Sequence, residues 1–282
     1  MVLTLFFCVG CFFIETAHDK MEGQAPISAE RVNVKNMALD SLRELIRQTN
    51  NEDSKKILEL LETKSIMVAP NDEGFHDPIF DENPDRVHLV MLVSEDSQLR
   101  FWGDILSSED TYALFYPIHN AVVLKQMDSF TPLFRAILVD HEGYHALFFQ
   151  SHDRKEKPTN LQIAEREKDN YEHAGDILSS VGGKKYEAFM REEMKKTHEN
   201  TEGRTAGLQI QMSEKMCNER LNEIFGPAKS AVEEQARSSF ISVLCAFRYI
   251  DEYHAGTQTE KETAKTKVLF EAYEKMRAEK RL

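Results

Sequence analysis

The chain of 282 residues lacks any excess of positive charge. Its 48 acidic and 35 basic side chains leave a net charge of −13, spread along the length rather than gathered in one tail. A phosphate backbone is repelled by such a surface, so nucleic acid is not an expected partner. Cysteine is scarce: four in the whole chain. Cys8 and Cys11 fall near the start, and Cys217 and Cys245 fall on separate predicted helices, where they either pair or simply pack. No repeated CxxC and no Cys/His cluster marks a structural zinc site. There is also no phosphate loop, no nucleophile elbow, no internal repeat and no low-complexity tract. The apolar segment from Val2 to Ile14 is too short for a confident membrane-spanning helix.

What is present is concentrated in Ala136 to His152, AILVDHEGYHALFFQSH, which carries one H-E-x-x-H. On an α-helix four residues turn through about 400°, so His141 and His145 leave the same face one turn apart and can share a small cation. Glu142 then sits beside the open coordination position. Two neutral nitrogen ligands, an open site and a carboxylate to take a proton are what a zinc-activated water requires. Thr131-Pro132 reads as an N-cap followed by proline at the first helical position, so the helix is expected to start about ten residues before His141. Phe134, Ile137, Leu138, Val139, Ala146, Leu147, Phe148 and Phe149 are apolar on more than one side, the mark of a buried helix. Burying two histidines and a glutamate there is costly unless something binds them.

A catalytic zinc usually takes three protein ligands, and the third is either a histidine close behind or an acidic residue on a later helix. The close histidine requires H-E-x-x-H-x-x-G-x-x-H, but Phe148 occupies the glycine position and Ser151 the histidine position, with His152 one residue late. After a polar break from Asp153 to Thr159, Asn160 is expected to cap a second helix running from Leu161 to about Ser180. It contains AEREKDNY, in which Glu165 and Asp169 stand one turn apart on one face.

With the H-E-x-x-H and this E-x-x-x-D together, the chain resembles the gluzincin zinc metallopeptidases, the thermolysin-like enzymes and the shorter minigluzincins. The resemblance covers roughly Tyr116 to Leu178. It implies zinc as the cofactor, a polypeptide as the substrate, and His141, His145 and Glu165 as the ligands. It further makes Glu142 the general base and Asp169 the residue that orients a ligand histidine. The pattern E-x-E-x-D-x-Y over Glu165, Glu167, Asp169 and Tyr171 is similar to the short members, except that Lys168 stands where a small residue is common. Glu172, one turn further, is the reserve third ligand. His173, His198, Tyr171 and Tyr186 are candidate donors to a developing oxyanion.

The rest of the chain organises around this core. Residues 1–19 read as an export leader; Val9-Gly10-Cys11 is similar to the end of a bacterial lipobox, which would tether the protein to a membrane through Cys11, the alternative being a cytoplasmic protein. Residues 20–66 carry two helices, Val34 to Gln48 and Ser54 to Thr63, with apolar residues at helical spacing. Residues 67–183 form the expected zincin-like core. Strands are expected at Ser65 to Ala69, Val87 to Val93, Gln98 to Trp102, Tyr112 to Ile118 and Ala121 to Lys125, around an acidic, proline-containing loop over Asn71 to Asp85. Ala121 to Lys125 is the expected edge strand, where an extended peptide substrate could add its main chain. Residues 184–282 read as helices at about Lys184 to His198, Ala206 to Phe225, Ala228 to Tyr253 and Glu260 to Arg281.

The fold class expected is therefore α+β: a small mixed or antiparallel sheet packed on the H-E-x-x-H helix and a glutamate-bearing helix, followed by a helical C-terminal part. Two other readings stand beside the zinc hydrolase. Glu142/His145 and Asp251/His254 are two acid-x-x-His pairs of the kind that di-iron carboxylate bundles use. Alternatively, a non-catalytic relative keeps the helices as an interaction scaffold.

Overall fold

The computed structural model describes residues 29–63, 66–68, 88–92, 112–116, 121–125, 127–150, 159–201 and 214–278. The expected leader with Cys11, the acidic loop over 71–85, the strand over 98–102, and His152 all lie outside them.

The described elements fall into two compact units, divided between Lys157 and Pro158, within the span 67–183 that was expected to be one core. The N-terminal unit contains α1 (Ala29–Thr49), α2 (Glu52–Thr63), β1 (Ile66–Val68), β2 (His88–Leu92), β3 (Ala113–Tyr116), β4 (Ala121–Lys125), a 3-10 turn (Met127–Ser129) and α3 (Pro132–Gln150). The C-terminal unit contains α4 (Asn160–Thr201), α5 (Glu214–Phe225), α6 (Ala231–Tyr253) and α7 (Gln258–Ala278).

In the N-terminal unit, α1 buries Ala38, Leu39, Leu42 and Leu45, the i, i+4, i+7 stripe of an amphipathic helix. Asn50 ends it in the left-handed conformation (φ 53°), with its N–H donating to Ile46 O at 2.7 Å. Asn51 then caps α2: its Oδ1 accepts from the N–H groups of Asp53 and Ser54 at 2.9 and 3.0 Å. Glu52 and Asp53 in the first turn suit the positive end of the helix dipole.

Helix α3 packs against α1, α2, β3 and β4, which is why it is apolar on several sides. Two residues fix it there. Gly143 lies so close to α2 that a β-carbon on it would fall 2.2 Å from Ile57 Cγ2. Arg135 is 3 % exposed and spends its guanidinium on carbonyls, donating from Nε to Met127 O (2.6 Å) and from Nη2 to Phe130 O (2.7 Å). Its Nη1 also reaches Ser41 Oγ at 3.3 Å, so one side chain ties the 3-10 turn and α1 to the start of α3.

The expected α+β fold is not the one adopted. Helices make up most of the described residues, and the strands have only three to five residues each, so the protein is mostly helical. The apolar side chains are buried chiefly helix against helix, leaving the short β-branched runs a minor part. The strands lie in the order β1-β2-β4-β3, parallel except for the antiparallel β3–β4 pair, in which Phe115 faces Val122. β4, expected at the edge, is paired on both sides.

In the C-terminal unit α4 begins with a reciprocal cap supplied by Thr159 rather than Asn160. Thr159 Oγ1 accepts from Gln162 N–H at 3.3 Å, and Gln162 Oε1 accepts from Thr159 N–H at 2.8 Å. Asn160 instead donates its side-chain amide to Glu274 on α7. Gly183 interrupts α4 with φ 50° and ψ −133°, a conformation that favours glycine, so the element is two helical arms joined at a kink. The helix expected to run from Leu161 to about Ser180 corresponds to the first of these arms.

Helix α6 is the most deeply buried of this unit, with Phe240, Ile241, Val243, Leu244, Cys245, Phe247, Tyr249 and Ile250 all at or below 3 % exposure. Gly175 lets α4 approach it: a β-carbon there would stand 3.3 Å from Leu244 Cδ2. At its start Ser230 Oγ accepts from Glu233 N–H, and Glu233 in turn holds the buried Arg237 at 2.5 Å. Arg237 also donates to Gly226 O at 2.8 Å and covers the Phe225 ring, which joins α5 to α6. Cys245 is buried with its sulfur 3.4 Å from Met190 Sδ.

Among the described residues no helix is long and apolar enough to cross a membrane.

Candidate metal centre

The middle of α3 carries the chemistry. His141 and Glu142 are fully buried and His145 is 2 % exposed. The two imidazoles stand 5.4 Å apart, centroid to centroid, with their planes at 82°, as two side chains one turn apart on a helix should. On its other flank the His145 ring runs parallel to Phe115, 6.3 Å away with the planes 8° apart. Asp140, also fully buried, precedes them.

His141, His145 and Glu167 each offer a ligand atom, these atoms lie within 4.8 Å of one another, and all three residues are buried. This cluster could hold a metal ion. Its donor set is two imidazole nitrogens and one carboxylate oxygen, the set of many catalytic zinc sites with an open fourth position.

Glu165, the third ligand that the resemblance implied, is exposed, and so is Asp169, with 58 % of its side chain in solvent. Both line an open groove of 720 Å³ between α4 and α7. Asp169 is 3.2 Å from Lys168 Nζ, an ordinary surface ion pair. The reserve ligand Glu172 is also engaged elsewhere, 2.7 Å from Lys265 Nζ.

Helical phase accounts for the difference. The buried positions of the first arm of α4 are Ile163, Ala164, Glu167, Asn170, Tyr171, Ala174, Ile177 and Leu178, spaced by three and four. Glu167 is on that stripe; Glu165 and Asp169 are on the opposite face. A carboxylate in phase with an apolar stripe was the signal in the sequence, and it points to Glu167.

The remaining candidates have structural surroundings. Asp251 lies 2.9 Å from Lys265 Nζ. His254 closes α6, its backbone N–H donating to Ile250 O. Lys265 therefore sits among acids from three helices: Glu172 of α4, Asp251 of α6 and, at 3.6 Å, Glu262 of α7. Burial works against its charge, but the hydrogen bonds it donates to Glu172 and Asp251 prevail and hold its pKa above the ordinary lysine value.

Of the suggested oxyanion donors, Tyr171 packs against Phe240 and Phe247. Tyr186 lies under the Arg248 guanidinium, and burial pushes its phenol well above the ordinary range. His198 stacks on Tyr253 at 4.3 Å, with Nδ1 3.4 Å from Tyr249 Oη. His173 is half-buried on α4.

Neither a family model, nor a curated protein, nor a solved structure matches this chain.

Proposed function

We propose that the chain is a zinc-dependent hydrolase of the gluzincin type that cleaves peptide bonds, with His141, His145 and Glu167 as the metal ligands and Glu142 as the general base. The observation that carries this reading is the buried group of two imidazoles and one carboxylate, with ligand atoms within 4.8 Å, one of whose histidines stands immediately before a fully buried glutamate. Zinc bound there would lower the pKa of a coordinated water and polarise a substrate carbonyl. With a metal ion held by His141, His145 and Glu167, Glu142 would accept a proton from the water that attacks the carbonyl carbon and return it to the leaving amine as the C–N bond breaks. A polypeptide substrate follows from the resemblance of the H-E-x-x-H and its following acidic helix to that family.

Elemental analysis of the full chain after incubation with zinc is the first test. One zinc per chain supports the reading; two irons transfer the case to the carboxylate bundle, and no metal leaves a scaffold. Three variants then resolve the roles. Glu167→Gln should weaken zinc binding by more than about a hundredfold, beyond what loss of an outer-shell partner does, whereas Glu165→Gln should leave it unchanged. Glu142→Gln should keep the metal and lose nearly all cleavage of a peptide library. Full activity in that variant refutes the mechanism.

A further inference from the structure

We propose that Phe115 is a positioning residue for the metal ligand His145, an inference that rests on the metal-centre reading above. Phe115 is 1 % exposed in the middle of β3, opposite Val122 of β4. Its ring plane lies within 8° of the His145 imidazole, at 6.3 Å between centroids, and it also meets Phe149 at 5.3 Å. His145 and Phe149 are one turn apart on α3, so Phe115 fills the notch between two successive side chains of one helix face.

The last torsion of a histidine side chain is broad and weakly directed by its own rotamer preference. A flat ring parallel to the imidazole biases that torsion, because rotating the imidazole gives up the parallel aromatic contact. His141 is a second ring neighbour, the two imidazoles being 5.4 Å apart at 82°. His145 is thus held with its lone pair in one direction before any metal arrives, and the ordering that a ligand otherwise undergoes on binding is already done. A branched aliphatic side chain at 115 would keep the core apolar but would not present a plane.

The test uses the full-length protein and cobalt(II) as the probe, since its visible absorption reports ligand geometry. Affinity is measured by competition with a chelator, and the thermal midpoint of the metal-free protein is recorded alongside. Phe115→Leu should bind cobalt about tenfold more weakly than the wild type and alter the visible band. Phe149→Leu removes a ring from the same cluster without removing the parallel wall, and should keep the wild-type affinity and band. Phe115→Tyr, which restores a plane, should recover both. If Phe115→Leu does not fold, Phe115→Met, close to it in volume, is measured in its place. Equal effects of the 115 and 149 leucine variants, or an unchanged band in the former, overturn the positioning role while leaving the metal centre intact. Failure of the wild type to bind cobalt overturns both.

Discussion

Replacing Gly143 by alanine tests the packing on which the candidate site depends. An ideal β-carbon at this position would stand 2.2 Å from Ile57 Cγ2, 3.4 Å from its Cβ and 3.5 Å from its Cγ1. Carbon atoms rest at about 3.5–4.0 Å, so α2 or the isoleucine must withdraw by more than about 1 Å. The isoleucine has little room to turn, because a β-branched side chain on a helix is confined to one main rotamer. Overpacking of this kind costs about 1–3 kcal/mol. Alanine returns about 1 kcal/mol through its better helix propensity. The expected net loss is about 0–2 kcal/mol, a fall of up to about 1 M in the urea midpoint.

Ile57→Ala alone should cost about 2–4 kcal/mol by opening a cavity. In that background the clashing methyl is gone, and Gly143→Ala should become stabilising by about 1 kcal/mol. The two substitutions should therefore be coupled by about 1–3 kcal/mol. Urea unfolding of the four metal-free proteins, followed by far-UV ellipticity, measures this cycle. Additive effects, or an alanine at 143 that stabilises the wild-type background, would show that α2 does not lie against the back of the H-E-x-x-H helix.

Two further outcomes follow from buried charges. Arg135→Met strips the carbonyls of Met127 and Phe130 of their donor and should lower stability by about 3 kcal/mol, read as a drop in thermal midpoint. Arg135→Lys should restore little of it, because a single ammonium does not reproduce the planar fork; full rescue would contradict the assignment. Lys265→Met should leave Glu172, Asp251 and Glu262 facing one another and cost about 2 kcal/mol at pH 7, less than a fully buried pair because its partners keep roughly a third of their surface in water. The Glu262 carboxyl lies below its ordinary value: burial opposes its ionisation, but the hydrogen bond from Lys168 and the field of Lys265 outweigh this. The stability it contributes is therefore present above the ordinary glutamate pKa and is lost as pH falls through the lower folded value. The gap between wild type and Lys265→Met should accordingly narrow as pH falls below the ordinary glutamate pKa; a gap that widens on acidification would refute the account.

Much of the helical framework can be read from residue spacing. Thr131-Pro132 announces α3, Asn50-Asn51 separates α1 from α2, and Gly226-Pro227 separates α5 from α6, since each places a residue with a fixed backbone or capping preference at a helix end. The fold class was misjudged because short β-branched runs signal strands locally without saying how little of the core they bury. The acidic residue grouped with the two histidines differs from the one the resemblance implied for a related reason. Resemblance to a motif selected Glu165, whereas the apolar phase set by Ile163, Ala164, Tyr171 and Ala174 brings Glu167 inward. Lys265 could not be recognised as buried from α7 alone, whose charged sequence resembles a solvated surface. Its acids come from α4 and α6, distant in the chain, and only tertiary packing brings them together.

The interruption at Gly183 also fixes a residue count. At about 100° per residue, the buried positions of the first arm of α4 centre on one direction, and those of the second, Tyr186, Phe189, Met190, Glu193 and Met194, centre roughly a third of a turn away. An unbroken helix could not turn both stripes inward at once. The chain carries, in effect, one residue too many for a straight rod, and the left-handed glycine absorbs the surplus. Deleting one residue at the bend while replacing Gly183 by alanine would bring the two stripes into line along a single continuous helix, whereas either change alone would leave them out of phase or the backbone strained.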